Sequence, residues 1–268
     1  MKKKKVNYNL IIGLILTSIV VLMAVVGHFW TPYGTTDMNG ILKNAAPSLA
    51  HPFGNDNFGR DILSRIMNGM GTTCFVALCT VGIGVVFGTL VGAVTGFFGG
   101  WLDEIIMRLN DALSAFPSIL LALIFISLLG PGKNNIILAL GVLFIPSFAR
   151  IVRSEIIRYK ELEFVKSAQV MGAGKLRIIF VHILPNIIRP LVHFLCLSCA
   201  EMIMNISAFS FIGLTLGDDV IDWGSMLSEG RSMLMTHPSL LFLPILFIFL
   251  CTLAFNLLAK QLEGGEQA

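Results

Sequence analysis

The chain is 268 residues long, with 55% hydrophobic and only 13% charged residues, against about 25% charged in a soluble domain. That balance excludes a soluble one- or two-domain enzyme of this length. The formal net charge of +3 is too small to serve a nucleic-acid partner, so where the charges lie matters more than their sum.

Met1 to Asn9 holds four consecutive lysines, and Leu10 to Phe29 is an apolar run of about 20 residues, the length that spans a bilayer. No Ala-x-Ala site follows, so residues 1–30 read as a retained first helix with a cytoplasmic amino terminus rather than a signal peptide. Residues 31–72 are polar and turn-rich and read as an external segment. Thr73 to Phe98 predicts a second helix. In it Gly84, Gly88, Gly92 and Gly96 form a smooth stripe that lets a neighbouring helix come close, a packing feature rather than chemistry. Gly99 to Asn110 reads as a cytoplasmic turn. Asp111 to Leu129 reads as a third helix with Pro117 inside it, tolerable where neighbours satisfy the freed carbonyl. After a tight external turn at Gly130 to Asn134, Asn135 to Ala149 predicts a short fourth span. A charged cytoplasmic loop, 150–185, precedes a fifth span from Asn186 to Phe211. Gly213 to Pro238 reads as external, Ser239 to Leu258 as the sixth span and 259–268 as a cytoplasmic tail. The fold class is therefore an all-α membrane protein with six transmembrane helices, residues 73–258 forming the main transmembrane domain. With both termini cytoplasmic, Lys43, Arg60, Arg65, Lys133 and Arg231 lie outside and the remaining 14 of 19 Lys and Arg lie inside, the asymmetry of the positive-inside rule.

Within the loop, Phe164 to Pro185 is the longest charged, amphipathic interval of the chain. Phe164, Val165, Ala168 and Met171 recur at helical spacing, with Glu161, Glu163, Lys166 and Gln169 at the other positions. Gly172 suits a helix C-terminus because it takes positive φ without steric cost. A second short helix runs from Leu176 through Ile179 and Phe180 towards Pro185, so the interval predicts two short helices broken at Gly172-Ala173-Gly174.

Few residues point to chemistry. Gly172-Ala-Gly-Lys175 fails as a phosphate loop: Gln169 and Leu176 stand where a Gly and a Ser or Thr are needed. No catalytic triad, metalloprotease helix or zinc cluster is legible, so no metal site is assigned and the chain is not expected to be an enzyme or to bind a cofactor. Cys74, Cys79, Cys196, Cys199 and Cys251 lie in apolar runs and read as buried small hydrophobes, the Cys196-x-x-Cys199 pair included. Glu201 falls within the fifth span, with Asn205 one turn later and Ser198 nearby. A carboxylate in hydrocarbon is costly, so this group reads as a candidate substrate path, or as one half of an interhelical pair with a cation such as Arg189. The external acids Asp218, Asp219, Asp222 and Glu229 read as a solvated loop, with attraction of a cation or docking of a binding protein as the alternative uses. Met202, Met204, Met226, Met233 and Met235 are soft-metal candidates but more simply packing.

Several ordered strings carry a family resemblance. His51-Pro-Phe-Gly-Asn-Asp-Asn-Phe-Gly-Arg-Asp61 with Ser64-Arg65, Gly96-Phe-Phe-Gly-Gly-Trp-Leu-Asp-Glu104, Ala115-Phe-Pro117, Trp223-Gly224 through Arg231, and Ala254-Phe-Asn-Leu-Leu258 are similar to permeases of the dipeptide, oligopeptide and nickel branch of ABC importers. Ala168, Gly172 and Leu184-Pro185 keep the spacing of that family's Glu-Ala-Ala, Gly, Leu-Pro loop, with Lys166-Ser167 in place of Glu-Ala. The resemblance covers nearly all the chain after residue 50. It implies a type I importer (MetI-like) transmembrane domain and a second permease subunit that forms half of the translocation path by alternating access. It also implies a homologous permease as heterodimer partner, two cytoplasmic ABC ATPases that bind ATP and magnesium, and an extracytoplasmic solute-binding protein, in a bacterial cell membrane. Phe164, Val165, Lys166, Ser167, Ala168, Met171, Gly172, Ala173 and Leu176 would then couple to an ATPase. The short amino terminus and the acidic, Met-containing outer loops favour nickel or a metal chelate over small peptides as cargo. The rival reading is a self-contained ion channel or secondary carrier, for which an internal repeat is expected and none is visible.

Overall fold

A backbone that crosses hydrocarbon must satisfy its own polar groups, and the apolar runs of this chain do so as helices. The computed structural model describes residues 8–214, 216, 217 and 220–263. Among them the strand-like pairing is confined to an isolated bridge between Asn55 and Asp61. The helices are α1 (Tyr8–Phe29), α2 (Ile62–Phe98), α3 (Gly100–Ser114), α4 (Ser118–Leu129), α5 (Lys133–Lys160), α6 (Glu163–Val170), α7 (Lys175–Arg177), α8 (Ile188–Phe211), α9 (Trp223–Gly230) and α10 (Ser239–Glu263), with a π-helical stretch, Ile178–Ile183, after α7. Helices α1, α2, α5, α8 and α10 are long and apolar enough to cross a membrane, and α3 with α4 meets the same measure only as a pair bent by 90°.

The elements differ from the sequence reading at their ends. Helix α2 begins at Ile62, eleven residues before Thr73, and so includes part of the segment assigned to the outside. The third span is broken, not continuous: α3 stops at Ser114, and Pro117, in extended conformation (φ −55°, ψ 124°), opens α4. Because Pro117 precedes the first turn instead of sitting within a helix, it leaves no interior carbonyl unpaired. The stretch expected to be a cytoplasmic turn is most of α3. Helix α5 continues past Ala149 to Lys160, so Arg150 and Arg153 ride on a helix and not in a loop.

The chain falls into two compact units. The first comprises residues 1–78, 131–133 and 197–261. In it α1 and α2 run antiparallel at small residues: a Cβ on Gly27 would lie 2.3 Å from the Met67 carbonyl oxygen, and one on Gly71 3.1 Å from that of Ala24. Helix α9 is held by Trp223, fully buried, whose indole nitrogen donates to the Ile66 carbonyl at 3.2 Å. Gly224 lets α9 lie against α8, where a Cβ would meet the Ser207 carbonyl oxygen at 2.2 Å.

The second unit comprises residues 79–130, 134–196 and 262–268. Its centre is the glycine stripe of α2 against α5. Hypothetical Cβ atoms on Gly84, Gly88, Gly92 and Gly96 would lie 2.2 Å from Phe144, 2.8 Å from Phe148, 2.4 Å from the Ala149 carbonyl and 2.9 Å from the Arg153 carbonyl. The partners advance along α5 as the glycines advance along α2, so the two helices run parallel. Parallel neighbours require the chain to cross back between them. The bent pair α3–α4 is the segment available, which makes it a crossing and brings the spans to six.

Candidate functional site

The 163–185 element is built at the end of α5. Helix α6 closes with Gly172 at φ +84°. The Ala173 N–H donates to the Ala168 carbonyl and the Gly172 N–H to that of Gln169, both at 3.0 Å, the paired bonds of a glycine-terminated helix end. The chain then enters α7 and the π-helical stretch, where the Leu184 N–H reaches back five residues to the Ile179 carbonyl at 2.9 Å. The two halves share a core of Val165, Ala168, Ile178, Ile179 and Ile183, all buried.

The other apolar side chains of this element face outward. Phe164, Val170, Met171, Leu176, Phe180 and Val181 are exposed, Val170 and Met171 by 89% and 80%. Of the nine residues singled out from the sequence, Phe164, Met171 and Leu176 lie on this apolar surface, Val165 and Ala168 support it from within, and Gly172 and Ala173 shape the turn. Ser167 is exposed, and Lys166 pairs with Glu161 at 3.3 Å, both side chains largely in solvent. The coupling residues named from sequence leave out Val170, Val181 and Phe180, the last of which periodicity places on the second short helix. Their signal was the presence of large apolar residues at positions that a solvated connector would leave polar.

Polar contacts fasten this region to the helices above it. Arg153 of α5 makes a two-pronged bond to Asp103 of α3, with N···O distances of 2.5 and 2.6 Å. Lys160 Nζ donates to the Phe97 carbonyl at 2.7 Å, which caps the carboxyl end of α2. Arg150 adds an exposed bond to Asp111 at 3.1 Å.

In the first unit, the string from His51 to Arg65 forms a polar knot. Asp56 accepts from the Phe58 and Arg60 backbone N–H groups at 2.8 and 2.9 Å and from Arg60 Nε at 2.6 Å. Asp61 caps α2 through the Ser64 N–H at 2.8 Å, and also binds Ser64 Oγ at 2.7 Å and His51 Nδ1 at 2.9 Å. Arg60 and Arg65 both donate to Glu229, Arg65 at 2.9 Å. Gly59, at φ +78°, sits where a Cβ would fall 1.8 Å from the Asn39 carbonyl oxygen. Turn propensity left the order of these residues unexplained; the knot accounts for it.

Of the external acids, Asp222 and Glu229 are therefore not in a solvated loop. Glu229 holds two buried arginines, and Asp222 is fully buried as the cap of α9, accepting from the Gly224 and Ser225 N–H groups at 2.8 and 3.2 Å. Burial pushes the Asp222 carboxyl pKa above its ordinary value. Asp218 and Asp219 lie outside the described residues.

On α8, Glu201 and Met204 are exposed and Asn205 is half-buried, whereas Ser198, seven residues before Asn205 on the same helical face, is buried. Arg189 lies on α8 itself, twelve residues before Glu201. At about 1.5 Å rise per residue the two cannot form the interhelical pair considered from sequence. Among the described residues no group of three or more His, Cys, Asp or Glu is placed to hold a metal ion.

Residues 84–265 match the family described as binding-protein-dependent transport system inner membrane component. The dipeptide transport system permease protein DppC of Alkalihalophilus pseudofirmus is 36% identical over 264 residues, covering 98% of this chain and 87% of that protein. The glutathione transport system permease protein GsiD of Pectobacterium atrosepticum is 40% identical over 222 residues, covering 83% of this chain and 74% of that one. The DppC protein of Haemophilus influenzae is 35% identical over 267 residues, covering 97% and 90%. A chain of the MetNI methionine ABC transporter, in an inward-facing conformation, superposes with a TM-score of 0.58 at 17% identity, over 74% of this chain and 96% of that one. At that identity the likeness speaks for the fold.

Proposed function

The chain belongs to the binding-protein-dependent transport system inner membrane components, and from that premise we propose how its geometry serves transport. It is a multi-pass inner-membrane permease subunit of an ABC importer, which sets aside the self-contained channel or carrier. Importers of this kind work with ATPase and binding-protein partners. Here the 163–185 element is the ATPase docking surface. The observation that carries this reading is its exposed apolar face, Phe164, Val170, Met171, Leu176, Phe180 and Val181, on a rigid two-helix frame. A contiguous apolar patch outside the membrane marks a protein contact.

ATP and magnesium are bound by two such ATPases, not by this chain. A homologous permease completes the translocation path as a heterodimer, and the carboxyl terminus and the 163–185 element are cytoplasmic. ATP-driven closure moves the docking element. The Asp103–Arg153 bond, the Lys160 cap on α2 and the glycine contact of α2 with α5 carry that motion into the helices as a rigid body, and alternating access follows. Glu201 and Asn205 face the partner permease or an aqueous path, because an exposed mid-helix carboxylate has no place against lipid.

The cargo is a small peptide. The relatives are named for dipeptide and glutathione transport, and two of the acids that favoured nickel, Asp222 and Glu229, are occupied in the cap of α9 and the arginine knot. Uptake of a labelled dipeptide and of labelled nickel, in cells with and without the gene, tests both steps. Deletion is expected to abolish peptide uptake, and Gly172→Pro, which cannot adopt φ +84°, to do the same at normal membrane expression. Loss of nickel uptake alone would overturn the cargo assignment. Normal peptide uptake by Gly172→Pro would overturn the docking assignment.

A further inference from the structure

The first unit also carries an open groove of about 420 Å³ between α1 and α2. Its walls are the exposed apolar side chains Val21, Val25, Phe75 and Leu78. Its lining holds no carboxylate but two basic groups, His28 and Lys133. His28 stands beside Gly71, its Cβ 3.8 Å from where a Cβ on Gly71 would be. Lys133 Nζ sits 5.1 Å from the Phe75 ring centre, one turn farther along α2. Among the described residues Lys133 makes no ion pair; its cation is met by an aromatic face.

We propose that this groove is a binding site for an anionic phospholipid, with the headgroup phosphate on Lys133 and His28 and one acyl chain along the valines of α1. The groove lies on spans α1 and α2, so its apolar walls are solvated by acyl chains. Val21 and His28 are seven residues apart on α1, about 10 Å of rise along which an acyl chain can lie. A zwitterionic lipid would satisfy the walls but brings its own choline cation to the phosphate, in competition with the half-buried Lys133 ammonium. A phosphodiester with net negative charge satisfies both, as basic pockets between membrane helices do elsewhere. A transmembrane helix of a partner protein is the competing occupant. It would cover the valines but supplies no anion by virtue of being apolar.

The test uses the intact importer, purified through a tag on this chain and titrated with phosphatidylglycerol or phosphatidylcholine under native mass spectrometry. Wild type is expected to retain phosphatidylglycerol through detergent washing. Lys133→Gln and Lys133→Glu should bind it at least tenfold more weakly, with phosphatidylcholine unchanged. Val25→Trp, which fills the groove and leaves the lysine in place, should also lose it. Lys43→Gln, a change at an exposed lysine away from the groove, should not. Equal phosphatidylglycerol binding by wild type and the Lys133 and Val25 variants would overturn the proposal. So would an equal loss in Lys43→Gln, or a photo-crosslinker at Val25 that captures polypeptide instead of lipid.

Discussion

The sign of a glycine-to-alanine change should reverse along a single helix. At Gly82 a Cβ would meet nothing within 4 Å. Gly82→Ala therefore keeps only the gain in helix propensity, about 1 kcal/mol. At Gly92 the Cβ would lie 2.4 Å from the Ala149 carbonyl oxygen and 2.8 Å from Val152 Cβ, where ordinary contact begins at 3.4 Å. The obstacle is backbone, which cannot rotate away, so α2 and α5 must part by roughly 1 Å. A gap of that size forfeits about a quarter to a half of each contact well along the interface, and overpacking of this kind costs about 1–3 kcal/mol. Net of the propensity gain, Gly92→Ala should destabilise by up to about 2 kcal/mol. The two variants then differ by about 1–3 kcal/mol, or roughly 2–12 °C in Tm for a chain of this size. Thermal unfolding of the purified protein, followed by dye reaction with its buried cysteines, reads this directly. Gly88→Ala, at 2.8 Å from Phe148 Cβ, should fall between the two. Gly84→Ala should be milder than its 2.2 Å contact implies, because that contact is a Phe144 ring that can turn. Equal shifts at Gly82 and Gly92 would refute the reasoning, since the interface would then not be set by the missing side chains.

Other perturbations test the remaining contacts. Glu229→Ala leaves Arg60 and Arg65, 9% and 3% accessible, to share Asp56; it should cost roughly 2–3 kcal/mol, at the lower end for a buried pair because Glu229 is 39% exposed. Arg108→Ala, which breaks the exposed pair with Glu104, should shift stability by less than about 0.5 kcal/mol on the same measurement. Because the Asp222 carboxyl has a raised folded-state pKa, its contribution to stability is full below the ordinary carboxylate pKa and is lost as pH rises through the raised value. Asp222→Asn keeps a capping side chain without the buried charge, so its Tm should gain on wild type as pH rises through that range; a difference constant with pH would count against the burial argument. Charge reversal at Asp103 alone or Arg153 alone should abolish uptake, and reversal of both should restore part of it; no restoration would mean that the bond does not link α3 to α5 in the working importer.

Composition and hydropathy determined a great deal by themselves. Burying backbone in hydrocarbon leaves helices as the way to pair every N–H and C=O, so apolar runs such as Leu10 to Phe29 and Ser239 to Leu258 could be placed from sequence. Gly172 announced the end of α6 because positive φ is a local property of the chain. The four glycines likewise announced a close helix contact. What they could not announce was the partner, since a stripe is the same whichever helix fills it, and only the tertiary structure chose α5 and its parallel direction. The break at Pro117 went unread because proline is compatible with either a kinked span or a helix start, and packing decided between them. Asp222 and Glu229 were misread for the same reason: a carboxylate in a polar loop looks solvated until long-range contacts bury it. Glu229 meets Arg60 and Arg65 across more than 160 residues of sequence. Local periodicity carries helices and their ends; which face meets which, and which charge is hidden, follow from contacts between residues far apart in the chain.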